Sequence, residues 1–303
     1  MDFVSVEIRE NIAVVTFSRP PINAVNLQSN LELTETFRQL NRNDDVHCVI
    51  LRAEGKGFMS GSDVDDFGDF NDQGLSAYEN ADVESILEVY NCRVPVICQT
   101  QGYVMGHGVT LAAAADFIVA ADDTYFSLPE VTICVVGGTD AIRQLVPEKF
   151  LRYMAYTGKK IGVKRIAEFG QIHAVVPRAQ AFERAMDLAR EVTANYTRSV
   201  QCVKTAVQEV TNHDKSRDFY VDCTYTHQLL KDPNREAVLK AHYAMLERKK
   251  GKRLPEQANH DDGGESYGFV KNGNCGSYCD PDVLPSADQC GRYGRQPGNY
   301  ACL

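Results

Sequence analysis

A chain of 303 residues with 44% apolar and 24% charged side chains has the composition of a globular protein, and length for one large domain or two. Its formal charge of −9 argues against a nucleic-acid groove, because phosphate binding needs a concentrated basic surface. It has no run of about 18 apolar residues, so no membrane span is expected.

The N-terminal MDFVSVEIRENIAVVTF lacks a basic stretch followed by an apolar one, and no signal peptide is read there. FVSVEI and IAVVTF, on either side of REN, predict a β-hairpin. Leu27, Leu31, Leu33, Phe37 and Leu40 then form a helical stripe. HCVILRA, PVICQTQG and DFIVAADD read as buried strands. Between the first two, DVESILEVYNC has helical spacing, with Asp82 available as its N-cap. This alternation predicts crossover connections and a mostly parallel sheet.

From about Thr139 the pattern is helical, in DAIRQLVPEKFLRYMAYTG, RAQAFERAMDLAREVTANY, SVQCVKTAVQEVTNHD and REAVLKAHYAMLERKK. An α/β core over residues 1–190 therefore carries a helical region over 191–254, whose apolar stripes suit packing on the core or on a neighbouring subunit. The basic LERKKGKR reads as a solvated helix end. Residues 255–303 are dense in Gly, Asn, Asp, Pro and Ser and read as a disordered, Cys-containing tail. The spacing of Cys275, Cys279, Cys290 and Cys302 matches no zinc pattern with paired close ligands. Cys48, Cys92, Cys98, Cys134, Cys202 and Cys223 are scattered, as expected of reduced thiols in a cytoplasmic protein.

Two segments carry chemistry. EGKGFMSGSDVDDF, residues 54–67, follows a strand with glycines that permit tight turns, and has no Gly-Lys-Ser/Thr of a phosphate loop. In QGYVMGHGVTLAAAAD, residues 101–116, Gly106 and Gly108 open a helix whose unpaired N–H groups attract developing negative charge.

With RPPINAVN, GKGFMSGSDV, QGYVMGHGVTLAAAADFIVAADDTYFSLPEV and KDPNREAVLKAHYAMLERK, the chain resembles the crotonase superfamily of enoyl-CoA hydratases and isomerases over residues 3–254. The resemblance implies an α/β fold, a crotonase-like ββα superhelix with a helical C-terminal region, assembled as a homotrimer or hexamer. It implies an acyl-CoA or acyl-carrier-protein thioester as substrate, with no separate cofactor or metal, while the acidic balance and the lack of a long apolar run argue against nucleic-acid and membrane partners. By motif alignment, the backbone N–H groups of Ser60 and His107 form an oxyanion hole for the thioester oxygen. Ala24, Met59, Gly61, Ser62, Asp63, Val64 and Gly106 line the substrate path, with Asp63 fixing the turn.

Family hydratases carry two glutamates. Here the second is Glu130 in SLPEV, and the first position is Thr110, which cannot exchange a proton near neutral pH. One carboxyl suits proton shuttling from carbon to carbon, so the preferred expectation is Δ3,Δ2-enoyl-CoA isomerisation with the pKa of Glu130 raised by burial. Asp140 lies two residues from Gly138, where some relatives place a catalytic aspartate; N-capping of AIRQLV is the alternative role. The competing expectations are a hydratase with an altered site, a carboxymethylproline-synthase-like or decarboxylating enzyme, and a non-catalytic acyl-CoA-binding protein.

Overall fold

The N-terminal strands β1 (Val4–Arg9) and β2 (Ile12–Phe17) form the expected antiparallel hairpin. Its two turn residues, Glu10 and Asn11, both take left-handed backbone (φ 54° and 61°), which matches the twist of the strands they join. The computed structural model describes residues 1–63, 72–211 and 215–251, all within one compact unit, Met1–Arg253. Val64 and the tail at 255–303 with its four cysteines lie outside the described residues.

A short β3 (Ala24–Val25) leads into α1 (Leu27–Asn41). Asn26 and Ser29 cap this helix reciprocally, at 2.9 Å and 2.8 Å. Then β4 (Cys48–Ala53), β5 (Gly61–Ser62), α2 (Asp72–Tyr90), β6 (Val96–Thr100), β7 (Tyr103–Met105), α3 (His107–Ala114), β8 (Phe117–Ala121) and β9 (Tyr125–Ser127) follow. The main sheet has the order β1-β2-β4-β6-β8-β11, where β11 is Ala174–Val176, and every pair beyond the hairpin is parallel. Side chains alternate across it. Ala13, Val15, Val49, Leu51 and Cys98 face the core beneath α1, α2 and α3, while Ile12, Val14, Ile50, Ile97 and Val119 face the other side. That second face is covered by Ala185, Met186, Leu188 and Ala189 of α7 (Ala181–Thr193). Burial on both faces explains why these strands read as unbroken apolar runs.

Between β9 and α7 lie a 3-10 turn (Pro129–Ile133), α4 (Thr139–Leu145), α5 (Glu148–Thr157), β10 (Ile161–Gly162) and α6 (Val163–Ala167). The single helix expected across DAIRQLVPEKFLRYMAYTG is in fact α4 and α5. Val146 is extended before Pro147, whose ring disfavours the helical region for the residue preceding it. The chain continues through α8 (Thr197–Val210), α9 (Lys215–Leu230) and α10 (Arg235–Gly251). α9 was not anticipated from the sequence. α2 starts ten residues before Asp82, so Asp82 is a mid-helix residue and not an N-cap. Among the described residues, no helix is long and apolar enough to cross a membrane.

Helix α8 is tied to the sheet by one buried cation. Lys204 Nζ meets Asp116 Oδ2 at 2.7 Å and the Val94 carbonyl at 3.2 Å. Asp116 Oδ2 also accepts the Val96 N–H at 2.7 Å. Lys204→Met leaves Asp116 without its counter-charge, and the expected loss is about 2–3 kcal/mol in urea unfolding. That sits below the cost for a fully buried pair because the Asp116 side chain keeps 26% of its exposure.

Candidate active site

The site is built where β7 turns into α3. Gly106 makes the turn with φ 51°, and its N–H donates to the Ser127 carbonyl at 3.1 Å, joining the start of α3 to the end of β9. All eight residues of α3 are buried. The helix lies so close to the preceding loop that a Cβ on Gly108 would stand 2.8 Å from Met59 Cβ.

A cavity of about 170 Å³ opens in front of this helix end. Ser60–Ser62, Gly106, His107 and Thr110 form one wall; Tyr78, Glu79, Asp82, Val83 and Ile86 of α2 form another. Pro129 to Gly138 and, from α9, Asp222, Cys223 and Thr226 close it.

Glu130 sits on the 3-10 turn, where Pro129 occupies the first position with a backbone angle already suited to it. The residue as a whole is half-buried, yet its carboxyl Oε2 is sealed from solvent and has no hydrogen-bond partner. Burial pushes this carboxyl up to about 8, against a hydrogen bond from its own backbone N–H, and the charges of Asp222 and Asp82 add smaller upward pushes.

The loop beside Glu130 is clamped by α9. Asp222 accepts the Thr139 N–H at 3.0 Å and the Thr139 hydroxyl at 2.5 Å. One turn later, the Thr226 hydroxyl donates to the Val136 carbonyl and accepts the Val136 N–H, both at 2.9 Å. A second link joins α9 to α2, where His227 Nε2 lies 2.6 Å from Glu79 Oε2. Burial raises the pKa of Glu79, partly offset by His227.

On the α2 wall, Asp82 Oδ1 accepts from Asn30 Nδ2 at 3.1 Å and lies 2.8 Å from His107 Nδ1. The contact is off the direction of the ring N–H, so it is a close polar contact rather than a hydrogen bond; neither His107 ring nitrogen has a hydrogen-bond partner. The Thr110 hydroxyl is turned back to the Gly106 carbonyl at 3.4 Å.

Of the site residues expected from sequence, Ser60, Gly61, Ser62, Gly106, His107, Thr110 and Glu130 share this cavity. Met59 does not. It is fully buried, and its carbonyl accepts the Met105 N–H at 3.0 Å, so it is a core residue under the site. Ala24 is buried in β3 as the ladder partner of Gly61, behind the wall. Asp63 pairs with the Arg19 guanidinium at 2.8 Å. Asp140 falls inside the first turn of α4, whose N-cap is Gly138, so the capping role is corrected.

Ser60 also needs correction as a free donor, because its N–H already donates to the Asn23 carbonyl at 3.3 Å. The next strand residues differ. Asp63 N–H bonds the Val25 carbonyl at 2.7 Å, so by strand alternation the Ser62 N–H points away from β3.

Glu79, Asp82, Asp222, Thr226 and His227 were not foreseen at the site. A polar line at positions 79, 82 and 85, on one face of a helix, was the available signal for α2. For α9 there was none. Among the described residues, no group of three or more His, Cys, Asp or Glu is placed to hold a metal ion.

The sequence model of the family described as "Enoyl-CoA hydratase/isomerase" matches residues 7–252. A Rhodococcus jostii protein named (7aS)-7a-methyl-1,5-dioxo-2,3,5,6,7,7a-hexahydro-1H-indene-carboxyl-CoA hydrolase is 33% identical over 230 residues, 76% of this chain and 89% of that protein. Carnitinyl-CoA dehydratase of Escherichia coli K12 is 28% identical over 208 residues, 64% of this chain and 76% of that protein. Among solved structures, an enoyl-CoA hydratase/isomerase from Xanthobacter autotrophicus Py2 superposes with a TM-score of 0.71 at 20% identity, covering 81% of this chain and 97% of that one. That last likeness concerns the fold alone. The glycine-opened helix, the Pro-Glu turn facing it and a family match over nearly the whole compact unit lead to one assignment: the chain belongs to the enoyl-CoA hydratase/isomerase (crotonase) family, whose enzymes process CoA thioesters.

Proposed function

We propose that this protein hydrolyses an oxo-substituted acyl-CoA, cleaving the bond between the thioester α-carbon and a ketone carbon next to it, with Glu130 as proton carrier. The observation that carries this reading is the Glu130 carboxyl beside a helix N-terminus, its Oε2 sealed from solvent without a hydrogen-bond partner and its titration pushed up to about 8 by burial. The Rhodococcus relative, a hydrolase of a dioxo acyl-CoA by its name, supports the choice of substrate class.

The chemistry balances as follows. Glu130 as carboxylate takes one proton from water as the water oxygen bonds to the ketone carbon. When the carbonyl reforms there, the carbon–carbon bond breaks and its electron pair passes to the thioester as an enolate. The N–H groups of His107 and Ser62 stabilise that oxyanion, and Glu130 returns the proton to the α-carbon. Only the deprotonated carboxyl activates water, so the rate is expected to climb as pH rises toward about 8.

A second reading is the Δ3,Δ2-enoyl-CoA isomerase. The apolar side chains of Val83, Ile86, Ile133 and Val135 in the cavity wall suit an acyl chain, and a double-bond shift also needs one proton carrier. The two separate with three substrates: 2-oxocyclohexanecarboxyl-CoA, trans-3-enoyl-CoA and trans-2-enoyl-CoA. Ring opening with the mass of one water is the expected dominant reaction. Faster growth of conjugated thioester absorbance from the 3-enoyl substrate selects the isomerase instead. Dominant hydration of the 2-enoyl substrate overturns both.

A further inference from the structure

We infer that the imidazole of His107, held against Asp82, is a second proton carrier of this site, acting on the ketone oxygen. The inference rests on the hydrolytic reading above. His107 was expected to contribute its backbone N–H, and for that purpose side-chain identity is loosely constrained. The side chain present is one that a packed core avoids in this state: it is 1% exposed, and neither ring nitrogen makes a hydrogen bond. It belongs to a residue in the wall of the Glu130 cavity, where a ligand can supply the missing partner.

Its surroundings are organised. Asp82 Oδ1 stands 2.8 Å from Nδ1. Asp82 is held from behind by Asn30 Nδ2 at 3.1 Å, and the Ser85 hydroxyl in turn donates to Asn30 Oδ1 at 3.1 Å. A fixed carboxylate therefore stands on the Nδ1 side of the ring, and in the inferred step Nε2 is the atom that meets the substrate. The other titratable groups on the cavity wall are Tyr78, Glu79, Glu130, Asp222 and Cys223, with His227 paired to Glu79 behind it.

Hydrolysis needs such a group. As water adds to the ketone carbon, the carbonyl π electrons move to oxygen, which requires a proton or a donor. Glu130 is occupied with the water proton, and Thr110 is turned to a backbone carbonyl. The imidazolium gives its proton to the ketone oxygen as the tetrahedral carbon forms. It takes that proton back when the carbon–oxygen double bond reforms and the carbon–carbon pair leaves for the α-carbon. His107 ends as it began, and water is the only reagent consumed.

The two roles of residue 107 separate cleanly, because His107→Ala keeps the backbone N–H and removes the ring. The test uses the full chain with two probes: 2-oxocyclohexanecarboxyl-CoA for ring opening, and cyclohexanecarboxyl-CoA, which lacks the ketone, for α-proton exchange in deuterated water. His107→Ala is expected to lose about 100-fold in kcat for ring opening, keep α-proton exchange within about threefold, and recover in part with added imidazole. Asp82→Asn is expected to lose about tenfold in ring opening only. Ring opening by His107→Ala within about threefold of wild type overturns the inference, as does parallel loss of both reactions without imidazole rescue. Wild-type protein that exchanges the α-proton but opens no ring overturns the hydrolytic reading and this inference with it.

Discussion

Glu130→Gln is expected to abolish turnover and, at the same time, to make the protein more stable at high pH. The amide cannot accept or return a proton, so kcat should fall by about 10³–10⁴-fold with little change in KM, since the shape of the cavity is kept. The stability gain follows from the environment that makes the carboxyl useful. Its ordinary value is 4.5 and its folded value is about 8. Between those values the unfolded chain has given up this proton while the folded chain still holds it, so wild-type stability falls as pH rises through that window. At about 1.4 kcal/mol per pH unit the full penalty is on the order of 4–5 kcal/mol, as an upper limit. Glutamine carries no charge and escapes it. The difference in Tm between variant and wild type should be small near pH 5 and grow steadily toward pH 9. A difference independent of pH would show that burial does not set the titration of Glu130.

Gly106→Ala is the second large effect, and it acts through backbone and site together. Position 106 has φ 51° and ψ −120°, a conformation in which a side chain is strained. An added Cβ would stand 2.7 Å from Glu130 Oε1 and 3.4 Å from Gly61 Cα in the neighbouring loop. One methyl group therefore displaces the Glu130 carboxyl and pushes apart the two segments whose N–H groups are proposed to meet the thioester. The expected result is a loss of about 100-fold or more in kcat/KM, since misplacement of about an ångström near the chemistry costs that much. Stability should fall by about 1–3 kcal/mol. Gly137→Ala is the control, because its Cβ would meet Glu130 Cγ at 3.4 Å with no backbone penalty. Kinetics and thermal melts on the two variants separate strain at the helix start from simple crowding of Glu130.

How far the fold was legible depended on the kind of burial. Strands β2, β4, β6 and β8 are covered on both faces, so each is an unbroken apolar run that needs no partner to be recognised. The start of α2 gave no such signal. DQGLSAYENAD has few apolar positions, and Asp82 looked like a cap when it is the middle of the helix. In α9, the stretch FYVDCTYT is rich in aromatic and β-branched residues, which favour strands on local grounds. Its contacts with α2 and α4 override that preference.

The site divides along the same line. Thr110 and Glu130 were readable because motif spacing carries them, and so was the glycine at 106, which backbone geometry demands. The alternation of strand and helix was enough to predict the parallel sheet. Folding alone decided that α9, more than eighty residues beyond the Pro-Glu turn, would bring Asp222 and Thr226 onto the loop beside Glu130. It likewise decided that Asp82 would stand 2.8 Å from His107. Chain-local patterns encode periodicity and turns, whereas the pKa of a carboxyl depends on which distant side chains exclude water from it, and that is settled only when the elements pack.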